Sequence, residues 1–226
     1  MKTRFYYTTV IVMFLLLGYN VDSNAQGCVA VRNMSSWSLG ADSIQSKVWQ
    51  FSLNYRYFRS YKHFRGSEEE KHRVEEGSEV INNDNSLLVG ISYSLNNRWS
   101  LSTIIPYLNI DRSSLYEHYG NPSQSNPTLN PRFHTQARGL GDIRISAYYA
   151  ALQKEKISLT LGLGFKLPTG NYETKDHFDK RDSEGQDSLV YKVVDQSIQL
   201  GDGGFGYITE FDLSYDFNHK FGLYAS

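Results

Sequence analysis

Charged side chains occupy polar positions in segments of this 226-residue sequence where polar and apolar residues alternate. Four of them stand out: Arg56, Asp142, Arg144 and Lys166. Carboxylate, guanidinium and ammonium groups on one face of a sheet can pair with each other or select passing solutes by charge. A fifth residue, Glu210, follows the same alternation, and we expect it deeper on that face.

Register predicts that these charges lie together. Side chains of one face pair across a hairpin only when their residue numbers have an even sum, so the turn at residues 153–156 places Lys166 opposite Asp142 or Arg144. We expect these three and Arg56 to form a charged ring or ion-pair cluster at one mouth of a barrel. In a wide lumen it would be a selectivity element, and in a narrow one paired charges would fill the space. The sequence leaves both open.

No catalytic or metal-binding pattern is present. The sequence has no G-x-S-x-G motif, and no histidine falls on a strand face beside an inward serine. Five histidines fall in predicted loops, without the i, i+2 or i, i+4 spacing of metal-ligand pairs: His63, His72, His118, His134 and His177. We therefore expect no catalytic residue, no metal, no cofactor and no enzymatic activity.

The charges are carried by segments with the period-two alternation of β-strands. Each is about as long as the ~9–11 residues of a tilted membrane-spanning strand. The segments are residues 48–58, 87–95, 99–107, 142–152, 157–167 and 205–217.

The connections between these segments alternate in length. Short turns at residues 96–98, 153–156 and 218–220 alternate with long loops at 59–86, 108–141 and 168–204. Outer-membrane barrels sort their loops in this way, whereas a soluble β-sandwich, the alternative, has no reason to do so. The sequence predicts an all-β, antiparallel, up-and-down transmembrane β-barrel.

Two short turns resemble each other and define the predicted ends of the strands. Placing Asn-X-basic in the loop sets Leu95 opposite Trp99 and Phe217 opposite Phe221. Their aromatic residues would form a girdle at the periplasmic interface. A second girdle is expected at the other end, from Tyr55, Tyr57, Tyr107, Phe165, Phe205 and Tyr207.

The first residues predict export. Residues 1–25 combine a basic start, an apolar stretch and the small-residue end Ser23-Asn24-Ala25, which is typical of a secretory signal peptide. Residues 26–47 are expected to be a periplasmic arm, a plug or an edge strand, and residues 48–226 the barrel. Cys28 is either a free thiol or a lipidated cysteine. We expect the outer membrane of a Gram-negative bacterium.

The alternation restarts at Phe221 and covers only part of a strand. An open edge is not tolerated in lipid, so we expect a barrel that is incomplete after six full strands and part of a seventh. The native protein would continue, or the chain would close by association. Net charge is −1, with no basic stripe for nucleic acid, so the expected partners are outer-membrane lipid and an unknown small solute.

Glycine-rich motifs flank two of the strands. Gly139-Leu-Gly-Asp142, the segment from Leu161 to Gly170 and Gln199-Leu-Gly-Asp-Gly-Gly204 resemble the outer-membrane family named for the MetA pathway of phenol degradation. The resemblance covers roughly residues 48–226. It implies a barrel that passes hydrophobic or aromatic compounds. The motif residues it points to are Gly141, Asp142, Lys166, Pro168, Thr169, Gly170, Gly201 and Asp202.

Two functions follow. The first is a passive channel or transporter for small solutes, among which the resemblance implies hydrophobic or aromatic ones. The second is a non-conducting structural or surface-interaction barrel that acts through its long loops, such as the charge run at residues 67–76.

Overall fold

The computed structural model describes residues 46–115, 132–181, 187–218 and 221–226. The predicted signal peptide, Cys28, nearly all of the predicted arm and His118 lie outside the described residues. In the described part of the chain, neither of the two short helices has the length and apolar character needed to cross a membrane.

The described chain is dominated by β-strands, and a strand forms over each of the six alternating segments. The helical elements are α1 (His72–Glu75) and a 3-10 helix (Gln196–Ile198). The strands are β1 (Val48–Ser60), β2 (Phe64–Arg65), β3 (Glu68–Glu69), β4 (Ile81–Ser94), β5 (Trp99–Ser114), β6 (Phe133–Leu140), β7 (Arg144–Lys154), β8 (Ile157–Lys166), β9 (Lys175–Arg181), β10 (Asp187–Val193), β11 (Gly206–Asn218) and β12 (Phe221–Ala225).

One large antiparallel sheet curls into a half-barrel. Its order is β1-β4-β5-β7-β8-β11-β12, and β6 pairs with the distal half of β5. β9 pairs with β10 and β2 with β3, as two separate hairpins. Among the described residues the path ends at β1 and β12, so the sheet is open.

The connections are sorted by length, as predicted. Residues 95–98 and 155–156 make short turns at one end of the sheet, the short-turn end. Residues 61–80 and 167–205 connect strands at the other, the long-loop end. Two predicted loops were partly wrong, because β4 begins at Ile81 and β5 continues to Ser114. In these extensions the outward residues are mostly polar, so the series of outward apolar residues that marks the six segments stops.

The two faces of the sheet differ in chemistry. The outer face exposes large apolar side chains along β1, including Trp49, Phe51 and Leu53, at 59%, 72% and 68%. The inner face carries small polar side chains, and Ser100 and Ser102 are buried there. Burial of small residues is expected on the concave side of a curled sheet, where neighbouring strands crowd together.

An extra residue separates β6 from β7. Between the pairs Ile104↔Arg144 and Tyr107↔Leu140, β5 has two residues and the other strand has three. Such a β-bulge reverses which residues face inward, since side chains alternate along a strand. The predicted strand start at Asp142 is therefore wrong: residues 141–143 form the bulge and β7 begins at Arg144.

Register at the short-turn end follows the prediction in one hairpin only. Leu95 N–H donates to the Trp99 carbonyl at 2.9 Å, which confirms that these residues lie opposite each other. The predicted pair of Phe217 and Phe221 is wrong, because a register shift between Asp216 and Asn218 pairs Asn218 with Phe221 instead.

Candidate functional site

The bulge presents Asp142 to the loop that follows β8. Its carboxylate accepts hydrogen bonds from the backbone N–H of Gly170 at 2.9 Å and of Asp202 at 3.3 Å. The ammonium of Lys166 lies 3.6 Å away, and the Asp142 side chain is only 12% exposed. Asp142 thus fixes two separate stretches of the loop to the sheet.

Thr169 forms hydrogen bonds with the two residues of the bulge that flank Asp142. Its hydroxyl donates to the Gly141 carbonyl at 2.8 Å and accepts from the Ile143 N–H at 2.9 Å. Thr169 N–H also donates to the Leu167 carbonyl at 2.8 Å, around Pro168. Proline presets the backbone for this tight turn and has no N–H to leave unpaired, so the strand ends here.

Three motif glycines allow backbone segments to touch. A Cβ on Gly170 would lie 2.6 Å from the Leu200 carbonyl oxygen. A Cβ on Gly201 would lie 2.6 Å from both the Gly170 carbonyl oxygen and an Asp142 carboxylate oxygen. At Gly141 the nearest atoms belong to inner-face side chains and to the same Leu200 carbonyl, at 3.0–3.2 Å. Any larger residue would separate the loop from the bulge.

The structure therefore gathers all eight residues indicated by the resemblance into one place, which we call the bulge site. It comprises Gly141, Asp142, Lys166, Pro168, Thr169, Gly170, Gly201 and Asp202. The sequence grouped these residues only through the resemblance, and the contacts among them explain why they occur together.

Lys166 carries the positive charge of this site. Its ammonium contacts the carboxylates of Asp202 and Asp142. The hydrogen bond from Lys166 is the main cause that lowers the pKa of Asp202, against the opposing effect of burial. Lys166 is thus already neutralised by two carboxylates.

Arg144, one of the two partners predicted for Lys166, lies directly opposite it in register. Within the described residues its side chain makes no hydrogen bond or ion pair. It borders an open depression of about 390 Å³ together with Lys166, Gly206 and Ile208. Among the described residues around the bulge site, Lys166 is paired with carboxylates and the guanidinium of Arg144 is not.

Arg56 does not join these charges, so the predicted four-residue cluster is wrong. Arg56 pairs with the nearly buried Asp84, at 3.2 Å. Arg56 pairs with Ser86 in register. The residue of β1 on the same row of the sheet as Arg144 is Ser52, and Arg56 lies four residues further along β1 toward the long-loop end. The odd or even position of Arg56 in its strand predicted the correct face of the sheet, but it contained no information on the distance of Arg56 from the long-loop end.

Glu210 lies deeper, as predicted, and the Tyr148 hydroxyl donates to it at 2.6 Å. The Tyr148 ring lies across Gly162, where a Cβ would meet it at 2.7 Å. Nearer the short-turn end, Ser158 and Ser214 share a hydrogen bond at 2.6 Å. Some polar groups of the inner face toward the short-turn end are therefore paired, whereas the buried hydroxyls of Ser100 and Ser102 have no hydrogen-bond partner among the described residues.

The inner face near the long-loop end is apolar. Residues 175–181 and 187–200, which we call the cap, pack on inner-face residues of β5 and β6. The signal was present in Leu108 and Ile110, which are apolar at even positions where the neighbouring residues are polar. The buried core consists of Leu108, Ile110, Ala137, Phe178, Val194, Ile198 and Leu200.

Polar contacts hold the cap in place. Arg112 donates to the Ser197 hydroxyl at 3.1 Å and lies 3.5 Å from the Asp195 carboxylate. The Asp176 carboxylate accepts from the backbone N–H of Gln136 at 2.7 Å, on the side of β6 that faces away from β5. The cap is thus a folded part of the structure, fixed at both its beginning and its end.

The histidines are distributed along the loops and their strands. His134 lies in β6, 2.8 Å from Asp111, and His177 lies in β9 against the ring of Tyr191. No group of three or more histidine, cysteine, aspartate or glutamate residues in the described parts of the chain is placed to hold a metal ion.

No family model matches the chain, and no curated protein has a matching sequence. The resemblance to the outer-membrane family therefore stays a prediction.

Proposed function

We propose that this chain forms the wall of an outer-membrane β-barrel that passively conducts small solutes. The observation that carries the proposal is an apolar outer face that ends at a row containing Tyr55 and Tyr107, opposite an inner face that is lined by polar groups toward the short-turn end. A water-exposed sheet has no reason to present Phe51, Leu53 and Leu163 at about two-thirds exposure or more.

The boundary of the apolar band is sharp. Tyr55, Leu87, Tyr107 and Leu140 form one row across four strands of the outer face. The next row consists of Tyr57, Asn85, Asn109 and Arg138.

Tyrosine hydroxyls connect these rows. Tyr55 donates to Asn85 at 2.6 Å, and Arg138 donates to the Tyr107 hydroxyl at 2.8 Å. Tyrosine is enriched at membrane interfaces because its ring is apolar and its hydroxyl is polar. The polar extensions of β4, β5 and β6 would then project beyond the lipid.

The height of the band suits a bilayer. From Trp99 to Tyr107 the strand spans about 20 Å along the membrane normal, at ~3.3 Å per residue and a tilt of ~40°. This is close to the ~25 Å apolar band of outer-membrane barrels. The rings of Trp99 and Tyr149 lie in tilted contact, with centroids 4.8 Å apart, at the short-turn end, where the periplasmic girdle was predicted.

Liposome swelling tests conduction. The full chain is expressed with its first 25 residues, recovered from the outer-membrane fraction and reconstituted into liposomes. Swelling in arabinose or benzoate above that of empty liposomes supports the proposal. Recovery only in a soluble fraction would overturn the membrane location, and membrane-inserted protein without swelling would overturn conduction.

A second function, a non-conducting barrel that acts through its loops, is favoured by the cap, which covers part of the inner face. Replacing residues 175–200 by a short Gly-Ser linker distinguishes the two. If swelling appears only in this variant, the cap closes the barrel. Equal swelling of both proteins supports the conducting form.

A further inference from the structure

We propose that Arg144 anchors a binding site for small carboxylic acids with an apolar body, on the inner face beside the bulge site. The inference deepens the proposed function and rests on it, because a passing solute reaches this face only if the face lines a passage. It names the solute class that the channel would hold.

The first argument is the unused charge. Charged side chains away from bulk water are normally paired, because removing a charge from water without a partner costs free energy. Arg144 is partly buried, yet it has no side-chain partner among the described residues.

The nearby carboxylates are already engaged with other groups. Lys166 contacts both Asp142 and Asp202, and Tyr148 donates to Glu210. An external anion is therefore the partner that Arg144 lacks.

The second argument is the space beside it. Gly206 has no side chain, and the aliphatic carbons of Lys166 lie against it, 3.3–3.4 Å from where a Cβ would be. The ammonium of Lys166 points away to Asp202. The depression of about 390 Å³ is thus bordered by the guanidinium, the Lys166 methylenes and Ile208.

The chemistry of these walls selects the ligand. A guanidinium binds a carboxylate through two parallel hydrogen bonds. Ile208, the Lys166 methylenes and Ile104, the register neighbour of Arg144, favour an apolar body. Lys166 is already engaged by Asp142 and Asp202, so the single charge of Arg144 is left to bind an anion, which favours a monoanion over a multiply charged phosphate.

Binding of benzoate and of benzamide, its neutral isostere, tests the site. The full chain in lipid nanodiscs is titrated calorimetrically at fixed ionic strength, with empty nanodiscs as the blank. We expect benzoate to bind at least about tenfold more tightly than benzamide, from charge-assisted hydrogen bonds to Arg144. Equal binding of the two would overturn the proposal.

Variants of Arg144 test whether this residue binds the carboxylate. Arg144→Gln should weaken benzoate binding about tenfold and leave benzamide unchanged, and Arg144→Lys should retain part of the preference. Arg98→Gln is the matched control, since Arg98 lies at the short-turn end and donates to Tyr149. Heat-modifiable gel mobility verifies that each variant is folded. Unchanged benzoate affinity in folded Arg144→Gln would overturn the proposal.

The two proposals fail separately. Swelling without Arg144-dependent binding overturns the carboxylate site and leaves conduction standing. Arg144-dependent binding without swelling supports the site, in a barrel that binds acids but does not conduct them.

Discussion

The carboxylate of Asp142 accepts a hydrogen bond from the backbone N–H of Gly170, 2.9 Å away and 28 residues later in the sequence. Asp142 lies in the bulge between β6 and β7, and Gly170 begins the loop that leads to the cap. This bond therefore couples an irregularity of the sheet to the position of a long loop.

Asp142→Asn should destabilise the protein by about 1–3 kcal/mol, because hydrogen bonds to a charged acceptor are stronger than those to a neutral amide. The measurement is urea unfolding in lipid, followed by tryptophan fluorescence. Asp216→Asn is the control, since Asp216 is exposed and its side chain has no hydrogen-bond partner among the described residues. Equal midpoints for the two variants would show that the bulge site does not contribute to stability.

Gly201→Ala should displace the loop. The added Cβ would lie 2.6 Å from Asp142 and from the Gly170 carbonyl, and such overpacking costs about 1–3 kcal/mol. Gly204→Ala is matched to it three residues later, where the nearest atom is an ordinary 3.4 Å away. Hydrogen exchange at Gly170 N–H should accelerate in the first variant only, and equal exchange in both would contradict the prediction.

The alternation of polar and apolar residues predicted the six strands because it reports which side chains face lipid or a core. It could not reveal β6, where the outer side chains His134, Gln136 and Arg138 are polar. It also missed the bulge, because the extra residue is recognised only when the number of residues in β5 is compared with the number in the stretch that joins β6 to β7.

The candidate site was predicted in part. Parity left Asp142 or Arg144 as the partner of Lys166. Arg144 lies opposite it because a β-bulge between Ala150 and Leu152 shifts the register by one residue from the pairing at the turn, which the sequence did not predict. The odd or even numbering could not place Arg56 relative to Arg144, because several strands lie between them and the register of each strand pair adds to the offset. The hydrogen bonds of Asp142 required the fold of the loop, which no local pattern encodes.

Ile198→Ala should loosen the cap and leave the sheet intact. Ile198 is fully buried against β5, and truncating a buried isoleucine costs about 2–5 kcal/mol. Limited proteolysis should cut residues 175–200 faster in this variant. Leu189→Ala, 67% exposed in the same segment, should be cut at the wild-type rate. Equal cleavage of both variants would contradict the packing of the cap.

Acid should weaken the contact between Lys166 and Asp202. The pKa of Asp202 is lowered from its ordinary value of 3.8, so the folded state binds this proton less readily than the unfolded state. The stabilisation is then fully present above pH 3.8 and is lost as the pH falls through the lower folded value. Because the Asp202 side chain is 67% exposed, the effect is small and screened by salt.

Unfolding of wild type and Asp202→Asn between pH 2 and pH 7, at low and high salt, checks this contact. The stability difference should be constant near neutrality and vanish in acid. A difference that grows as the pH falls would show the opposite sign of linkage.

Leu163→Lys separates a membrane barrel from a water-exposed sheet by the sign of its effect. Leu163 is 68% exposed in the middle of the outer band, so in water a lysine there would be neutral or favourable to solubility. In lipid, a lysine near the midplane costs about 2–4 kcal/mol. Asn109→Lys, on the polar row beyond Tyr107, should be tolerated in either setting. Folding into liposomes, measured by heat-modifiable mobility, should fail or weaken for Leu163→Lys alone, and normal folding of this variant in lipid would exclude the proposed membrane orientation of the outer face.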